Sequence, residues 1–514
     1  MTDRIAKGVL AFFTFAAVVI LLSLNTGFFF LYSPFTLLAG FLIAVLVWRQ
    51  GGFSLALPPA IPLLCLLLVA LLAFPLALRG VPAATDPAQT IVLRVLDPVI
   101  PRTFEPYAAL SFTYQFSYQL FVKPFADLLP LLADYLWLWV FGVLFGALQI
   151  VTVYLFTFTV AKSERAGVLA AVLLFGTKAV YRDVLVGGFH AVLAVNLLLL
   201  AVTCFARKNR LAYLFFPAAL AVHPQIGALC GLALLLYAAF YNRLTQFVLL
   251  LPSLVLIIPA FLTTYAALFS GLSPSVASSP SLGTFLLVPL FIGVVPSLAV
   301  AAGLVLLARE RRISREKAFA LTLLVATVLL YLAMDLAGFL FVARLLEVAT
   351  IAAVAFAGMT LVRLRPLVVA AILSISVLAI LASGELNELR WDGKLTPAET
   401  AFAAAFQAFD PSLQATFFMT DGGPKIAEYA NKIPYDARED WFLPYYEKQV
   451  LHDAGLADLD QRHENSQQIL ADDCAPCVAG LPVRYLVVNT ETYTPLPTEP
   501  VLQHGPLLLY DLAS

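Results

Sequence analysis

Charge is what this 514-residue chain has least of: 12% of its residues are Asp, Glu, Lys or Arg, and they nearly cancel, leaving a formal net charge of -1. No basic block stands out, which excludes an electrostatic nucleic-acid binder. Histidine and cysteine are scarce as well, at five residues each. No His-x-x-His or His-Glu-x-x-His spacing occurs, so a metal cage built from protein ligands alone is not expected. The chain also lacks Gly-x-Ser-x-Gly, a Walker loop and the dinucleotide fingerprint, which removes the hydrolases, NTPases and dehydrogenases those motifs mark. Asn-x-Ser/Thr sequons, internal repeats and low-complexity tracts are missing too.

What is present in quantity is apolar. Hydrophobic residues make up 61% of the chain, and its mean hydropathy is +0.91. Runs of eighteen or more apolar residues recur from Val9 to Leu381, each long enough to cross ~30 Å of hydrocarbon. In lipid every backbone polar group must be satisfied within the protein, so such runs are read as helices. The sequence therefore predicts a polytopic α-helical membrane protein. Segments fall near 8–24, 33–48, 60–78, 133–160, 166–181, 189–205, 211–222, 225–241, 245–266, 284–308, 318–334, 342–361 and 366–382, about thirteen transmembrane helices. Segments 166–181 and 211–222 are short for a span and are expected to be tilted, broken or re-entrant. The first segment has no small-residue cleavage site and is read as a retained helix.

Basic residues in short loops set the orientation. Arg4 and Lys7, Arg49, Lys162 and Arg165, Arg207 to Arg210, Arg243, Arg309 to Lys317, and Arg363 with Arg365 all fall on one side when thirteen crossings are drawn. That side is the cytoplasm, so the N-terminus is inside. The long loop at about 79–132 and the tail from 384 then lie outside. Arg79, Arg94, Arg102, Lys123, Lys178, Arg182 and Arg344 run against the trend, at outer helix ends. A cation facing lipid costs several kcal/mol, so these are expected to face a cavity or a partner. Anionic ligand groups would account for them.

The outer loop is the longest interruption of the apolar part. It carries Asp86, Arg94, Asp97, Arg102 and Glu105 among prolines and aromatics, and so long a connection within a bundle is uncommon unless functional. Asp86 in Thr-Asp-Pro can accept a proton from a hydroxyl or hold a metal; as Asp before Pro it also reads as a helix N-cap. Asp97 and Glu105, each before Pro, read more readily as turns or caps. Lys178 and Arg182 stand one helical turn apart and can grip a phosphate together, or pair with Asp183. Arg344 opens a late helix, with Glu347 or Asp335 as its alternative partner. His190 and His223 sit at outer ends of short apolar segments, either as helix-end hydrogen bonders or as ligand contacts. Pro224, directly after His223, breaks the helix, and breaks at membrane depth tend to line cavities.

The tail changes character. Helical stretches at 399–409 and 424–432 alternate with strand-like runs at 415–423, 483–491 and 507–513, which predicts a small soluble α/β domain over 384–514, distinct from a helical domain over 1–383. Cys65, Cys204 and Cys230 lie in apolar helices as small hydrophobes. Cys474 and Cys477 form one Cys-x-x-Cys pair; outside the cytoplasm a disulfide is expected rather than zinc.

This layout resembles the GT-C superfamily of membrane glycosyltransferases, which use polyisoprenyl-phosphate sugars. The resemblance rests on the helix number, the acidic outer loop with Ile100-Pro101 to Tyr107, the His223-Pro224 pair, Arg344 before a final helix, and the α/β tail. It implies that Asp86 is the catalytic carboxylate and that Lys178, Arg182, Arg344 and His223 face the donor's phosphate, with Arg94, Asp97, Arg102, Glu105 and His190 as secondary candidates. It leaves room for a divalent cation, Mg or Mn, although the loop has no Asp-x-Asp. The expected partners are a polyprenyl-phosphate sugar lipid, a glycan or protein acceptor, membrane lipids, and a protein docking on the tail, with no nucleic acid. Two other classes compete: a non-catalytic scaffold or complex subunit on the same fold, and, less well supported, a transporter.

Overall fold

The computed structural model describes residues 2–26, 34–50, 57–79, 103–104, 107–111, 117–129, 134–177, 188–258, 292–310, 312–336, 343–362, 396–412, 414–420, 423–435 and 457–513, with scattered single positions besides. Most of it is helix, and a small sheet closes the chain.

The bundle begins with α1 (Thr2–Thr26), α2 (Pro34–Gln50) and α3 (Ala60–Arg79), followed by a short antiparallel pair, β1 (Thr103–Phe104) and β2 (Tyr107–Ser111). Then come α4 (Ser117–Leu128), α5 (Asp134–Ala161), α6 (Glu164–Phe175), α7 (Phe189–Ala206), α8 (Ala212–Val222), α9 (Pro224–Phe240) and α10 (Leu244–Leu250). After these stand α11 (Val294–Ala308), α12 (Arg315–Leu336) and α13 (Ala343–Thr360). Stretches long and apolar enough to cross a membrane number four among the described residues: Arg4–Asn25, Leu136–Ala161, Phe189–Ala206 and Arg315–Met334. Several shorter apolar helices accompany them, and together they make the chain an integral membrane protein.

One apolar core runs through the bundle, from Ala6 of α1 to Leu361 beyond α13. Helix α7 is its centre; nearly every side chain from Phe189 to Phe205 is buried. Its one buried amide, Asn196, is fully used: it donates to the carbonyls of Phe145 (3.0 Å) and Val192 (2.9 Å) and accepts from Thr152 Oγ1 (2.7 Å). Outward faces are greasy, as at Leu38, Phe41, Leu42 and Leu46 on α2 or Leu63 and Leu66 on α3. In water this much exposed apolar surface would drive association; against lipid it is the expected solvent-facing side.

Helices α8 and α9 turn back on each other at His223, which ends one (φ -150°, ψ 106°) and precedes the other. Pro224 cannot donate within the preceding helix, so the reversal falls here. Gly227 lets the two backbones meet: a Cβ there would stand 2.3 Å from Leu220 Cα. Eleven and seventeen residues make helices of roughly 16 and 25 Å, each short of a ~30 Å core. The short segment expected at 166–181 likewise ends as helix at Phe175, capped by Gly176. Helix α11 begins only at Val294, after Gly293 at φ +96°, a conformation that glycine adopts readily. The segment expected at 245–266 is helical to Leu250 and then tightens into a 3-10 turn, Leu251–Ile257, with Pro252 at its start.

The C-terminal part holds α14 (Pro397–Phe409), β3 (Ala415–Met419), α15 (Gly423–Ala430), β4 (Ile433–Pro434), α16 (Ala457–Ala471), β5 (Tyr485–Asn489), β6 (Leu502–His504) and β7 (Leu507–Asp511). Thr396 and Glu399 form a capping box at the start of α14, with Pro397 as its first residue. The strand order is β4-β3-β5-β7-β6; β3 runs parallel to β4 and β5, while β7 is antiparallel to β5 and β6. Alternation along β5 serves two faces. Tyr485 and Val487 pack with Phe402, Phe406 and Ile426 from α14 and α15, and Leu486 and Val488 pack with Ile469 of α16 and Val478. The result is three layers, helix on sheet on helix.

Candidate functional site

Of the residues the sequence singled out, Asp86, Arg94, Asp97, Arg102, Glu105, Lys178 and Arg182 lie outside the described residues. His190, His223 and Arg344 are described, and the fold brings them to one end of the bundle.

Three helix starts meet there. His190 is the second residue of α7, His223 immediately precedes α9, and Arg344 is the second residue of α13. The two imidazoles stack, with centroids 5.9 Å apart and planes inclined by 23°. The charge of Arg344 acts on both rings. Helix α9 packs against α13, which also touches α7. Neither Gly188 before α7 nor His223 before α9 supplies a side-chain cap to its helix, so the first-turn N–H groups keep their capacity to bind an anion. A fourth helix start is close by: Ser117 Oγ, at the head of α4, donates to the Ala221 carbonyl of α8 at 2.5 Å.

Each part has a local cause. Arg344 Nη1 donates to Glu347 Oε1 at 2.9 Å, one turn along α13, and Glu347 is buried to 3% exposure. So the pairing with Glu347 that the sequence allowed is present, and it fixes the direction of the guanidinium. A planar guanidinium carries five N–H donors, which suits it to a carboxylate and a phosphate at once. Asp335, the other partner considered for Arg344, has no described side chain. His223 is 4% exposed, and its Nδ1 is buried without a hydrogen-bond partner, as is Oε1 of Gln225 two residues on. Gln225 escaped the sequence reading because an amide has no motif; its only signal was a polar residue just after a His-Pro break.

Lys123, one of the cations the sequence reading placed at outer helix ends, pairs with Asp127 at 2.8 Å on α4. The opposite end of the bundle gathers the basic loops. Arg207 Nε donates to Thr159 Oγ1 (3.1 Å), and Arg243 Nη1 donates to the Phe205 and Ala206 carbonyls (3.2 and 2.8 Å), closing the C-terminus of α7. Cys474 and Cys477 are joined as a disulfide at the turn after α16. Among the described residues no three His, Cys, Asp or Glu side chains gather to hold a metal ion. Asp86, the loop acid that could hold a metal by the sequence reading, lies outside the described residues.

No family model matches the chain, and no curated protein is similar to it. Among solved structures it is similar to the archaeal oligosaccharyltransferase AglB from Archaeoglobus fulgidus, solved in complex with an inhibitory peptide and a dolichol-phosphate. The TM-score is 0.48 and the identity 13%, over 84% of this chain and 69% of that one.

Proposed function

We propose that the chain is a membrane glycosyltransferase that moves a sugar from a polyprenyl-phosphate-linked donor to an acceptor on the extracytoplasmic face. The observation that carries the reading is the meeting of three helix starts with His190, His223 and Arg344 at one end of an apolar bundle. Positive helix ends and a guanidinium at the rim of a membrane protein suit an anionic group on a lipid. A polyprenyl phosphate supplies both halves: the chain lies against the greasy helix faces and the phosphate sits at the helix ends.

In this reading the reaction is an inverting transfer. The acceptor hydroxyl loses its proton to a carboxylate, for which Asp86 is the candidate, and its oxygen attacks the anomeric carbon. The bond from that carbon to the phosphate oxygen breaks, and its electron pair stays on the leaving phosphate. Arg344, with Lys178 and Arg182 from the same outer side, stabilises that growing charge. Glu347 holds Arg344 in place while it does so. Residues 1–383 form the membrane domain, and the α/β domain over 384–514 lies outside, where it selects the acceptor or docks a protein partner. The N-terminus is cytoplasmic.

The Arg344–Glu347 pair also favours a second reading, a catalytically silent subunit in which the arginine is structural. One experiment separates the two: turnover of a panel of polyprenyl-phosphate sugars by wild type, Asp86→Asn and Arg344→Lys. Transfer or donor hydrolysis that falls at least a hundredfold in Asp86→Asn, and clearly in Arg344→Lys, is the expected result. Full cellular function of Asp86→Asn would instead leave the scaffold.

A further inference from the structure

We infer that His223 and Gln225, at the apex of the α8–α9 hairpin, form a hydroxyl-binding subsite that reads a carbohydrate beside the anion site. This rests on the glycosyltransferase reading and assigns it a further residue, Gln225.

The argument starts from unmet hydrogen bonds. Oε1 of Gln225 and Nδ1 of His223 are both buried with no partner, and His223 as a whole is 4% exposed. Leaving such an atom unmatched is unfavourable. The bundle has others among its described residues, Ser23 Oγ and Thr157 Oγ1 for instance, but here two fall two residues apart at one helix break. The apex is also tightly built where these two side chains sit, with the close approach at Gly227 and the break at Pro224.

The atom types narrow the ligand. A phosphodiester offers acceptors only, so it cannot satisfy an amide oxygen. That atom needs a donor, and the imidazole nitrogen needs a donor or an acceptor according to its tautomer. A sugar hydroxyl is both, and a glycosyl phosphate carries its hydroxyls a few bonds from the phosphorus. Stacked on His190 and within the field of Arg344, the apex lies where such a hydroxyl would be. Sites that hydrogen-bond a hydroxyl reject analogues lacking it, because their own polar atoms are then stranded. The hydroxyl can belong to the donor's sugar or to the acceptor, and the test separates these sources.

The full-length protein in detergent is titrated with polyprenyl phosphate, with polyprenyl-phosphate hexose and with a panel of methyl hexosides, as wild type and as Gln225→Leu. Wild type is expected to prefer the hexose form to the bare phosphate. Gln225→Leu should lose about tenfold in affinity for the hexose form and nothing for the bare phosphate, with its melting temperature unchanged or raised. If a methyl hexoside binds wild type and not Gln225→Leu, while the two lipids do not differ, the hydroxyl belongs to the acceptor. Equal loss of both lipids in Gln225→Leu overturns the subsite but leaves the phosphate reading standing. So does the lack of both lipid discrimination and hexoside binding in wild type. Failure of wild type to bind either lipid overturns the glycosyltransferase reading itself, and the subsite with it. Gln225→Asn, which keeps the amide on a shorter stem, is expected to fall between the two and controls for a packing effect.

Discussion

Two polar clusters in this molecule are built in opposite ways. In the C-terminal sheet, Asp410 accepts from Tyr485 Oη (2.6 Å), from the Ser412 amide (2.8 Å) and from the Ser412 hydroxyl. Lys432 donates to the Asp410 and Ser412 carbonyls, at 2.5 Å each, and lies 4.9 Å over the Phe406 ring. Arg484 approaches the Asp410 and Asp511 carboxylates. This cluster ties the end of α14 to the start of α15's return strand, and every part of it has a visible structural task. At the histidine end of the bundle, Arg344 and Glu347 pair through one carboxylate oxygen, but His223 and Gln225 keep buried atoms without partners. A saturated cluster holds a fold together, and an unsaturated one stores capacity for something that arrives later.

The largest effect should come from Arg344→Leu. It takes a charged partner from the buried Glu347 carboxylate, and removing one partner of a buried pair costs about 3–5 kcal/mol. Thermal unfolding in detergent should show this, and Arg344→Leu with Glu347→Leu should recover most of it without recovering lipid binding. Recovery of binding in the double variant would make the histidine end as purely structural as the sheet cluster.

Lys432→Met should cost somewhat less, about 3 kcal/mol, because two part-buried carbonyls lose a charged donor. Its melting temperature should fall with no change in affinity for polyprenyl phosphate. A variant that melts normally but binds poorly would move the functional boundary into the sheet.

The smallest effect concerns acid. Desolvation alone would raise the Asp410 pKa. The hydrogen bonds from Ser412 and Tyr485, with the nearby Lys432 charge, outweigh it and hold the carboxyl well below its usual range. The folded value is thus below the unfolded one, so stability from Asp410 is fully present above about pH 4. It is lost as the pH falls from there through the folded value. Asp410→Asn should be less stable at neutral pH and flatter across this acid range, read by melting temperature against pH. A wild-type profile already flat there would show that the sheet does not depend on the ionised cluster.

How much of this was legible in the sequence depends on the kind of signal. Hydropathy located the apolar helices closely, Asp134–Ala161 and Phe189–Ala206 among them, because burial in lipid demands long uninterrupted runs. It overran the helix after Glu164 and the one after Leu244, since neither a Gly176 cap nor a tightened turn at Pro252 lowers hydrophobicity. In the tail, β3, β5 and β7 followed from their apolar alternation, whereas β4 and β6 have two and three residues, too few to show a period. Helix α16 is polar through most of its length and has little hydrophobic periodicity to read. At the site, His190, His223 and Arg344 were named because such residues are rare in apolar segments. Their meeting was not legible: residues 190, 223 and 344 come together only through the packing of α7, α9 and α13.

The reversal at His223 also bears on sidedness. Arg243, just past the end of α9, touches the carbonyls of Phe205 and Ala206, just before α8 begins. The chain therefore leaves and re-enters the same face of the bundle, whether the two short helices cross the bilayer together or turn back within it. Sidedness counts crossings only modulo two, and this hairpin contributes an even number either way. A reporter placed at the Arg207–Arg210 turn and one placed at the Asn242–Arg243 turn should emerge into the same compartment, and the parity of everything downstream is indifferent to how deep the apex reaches.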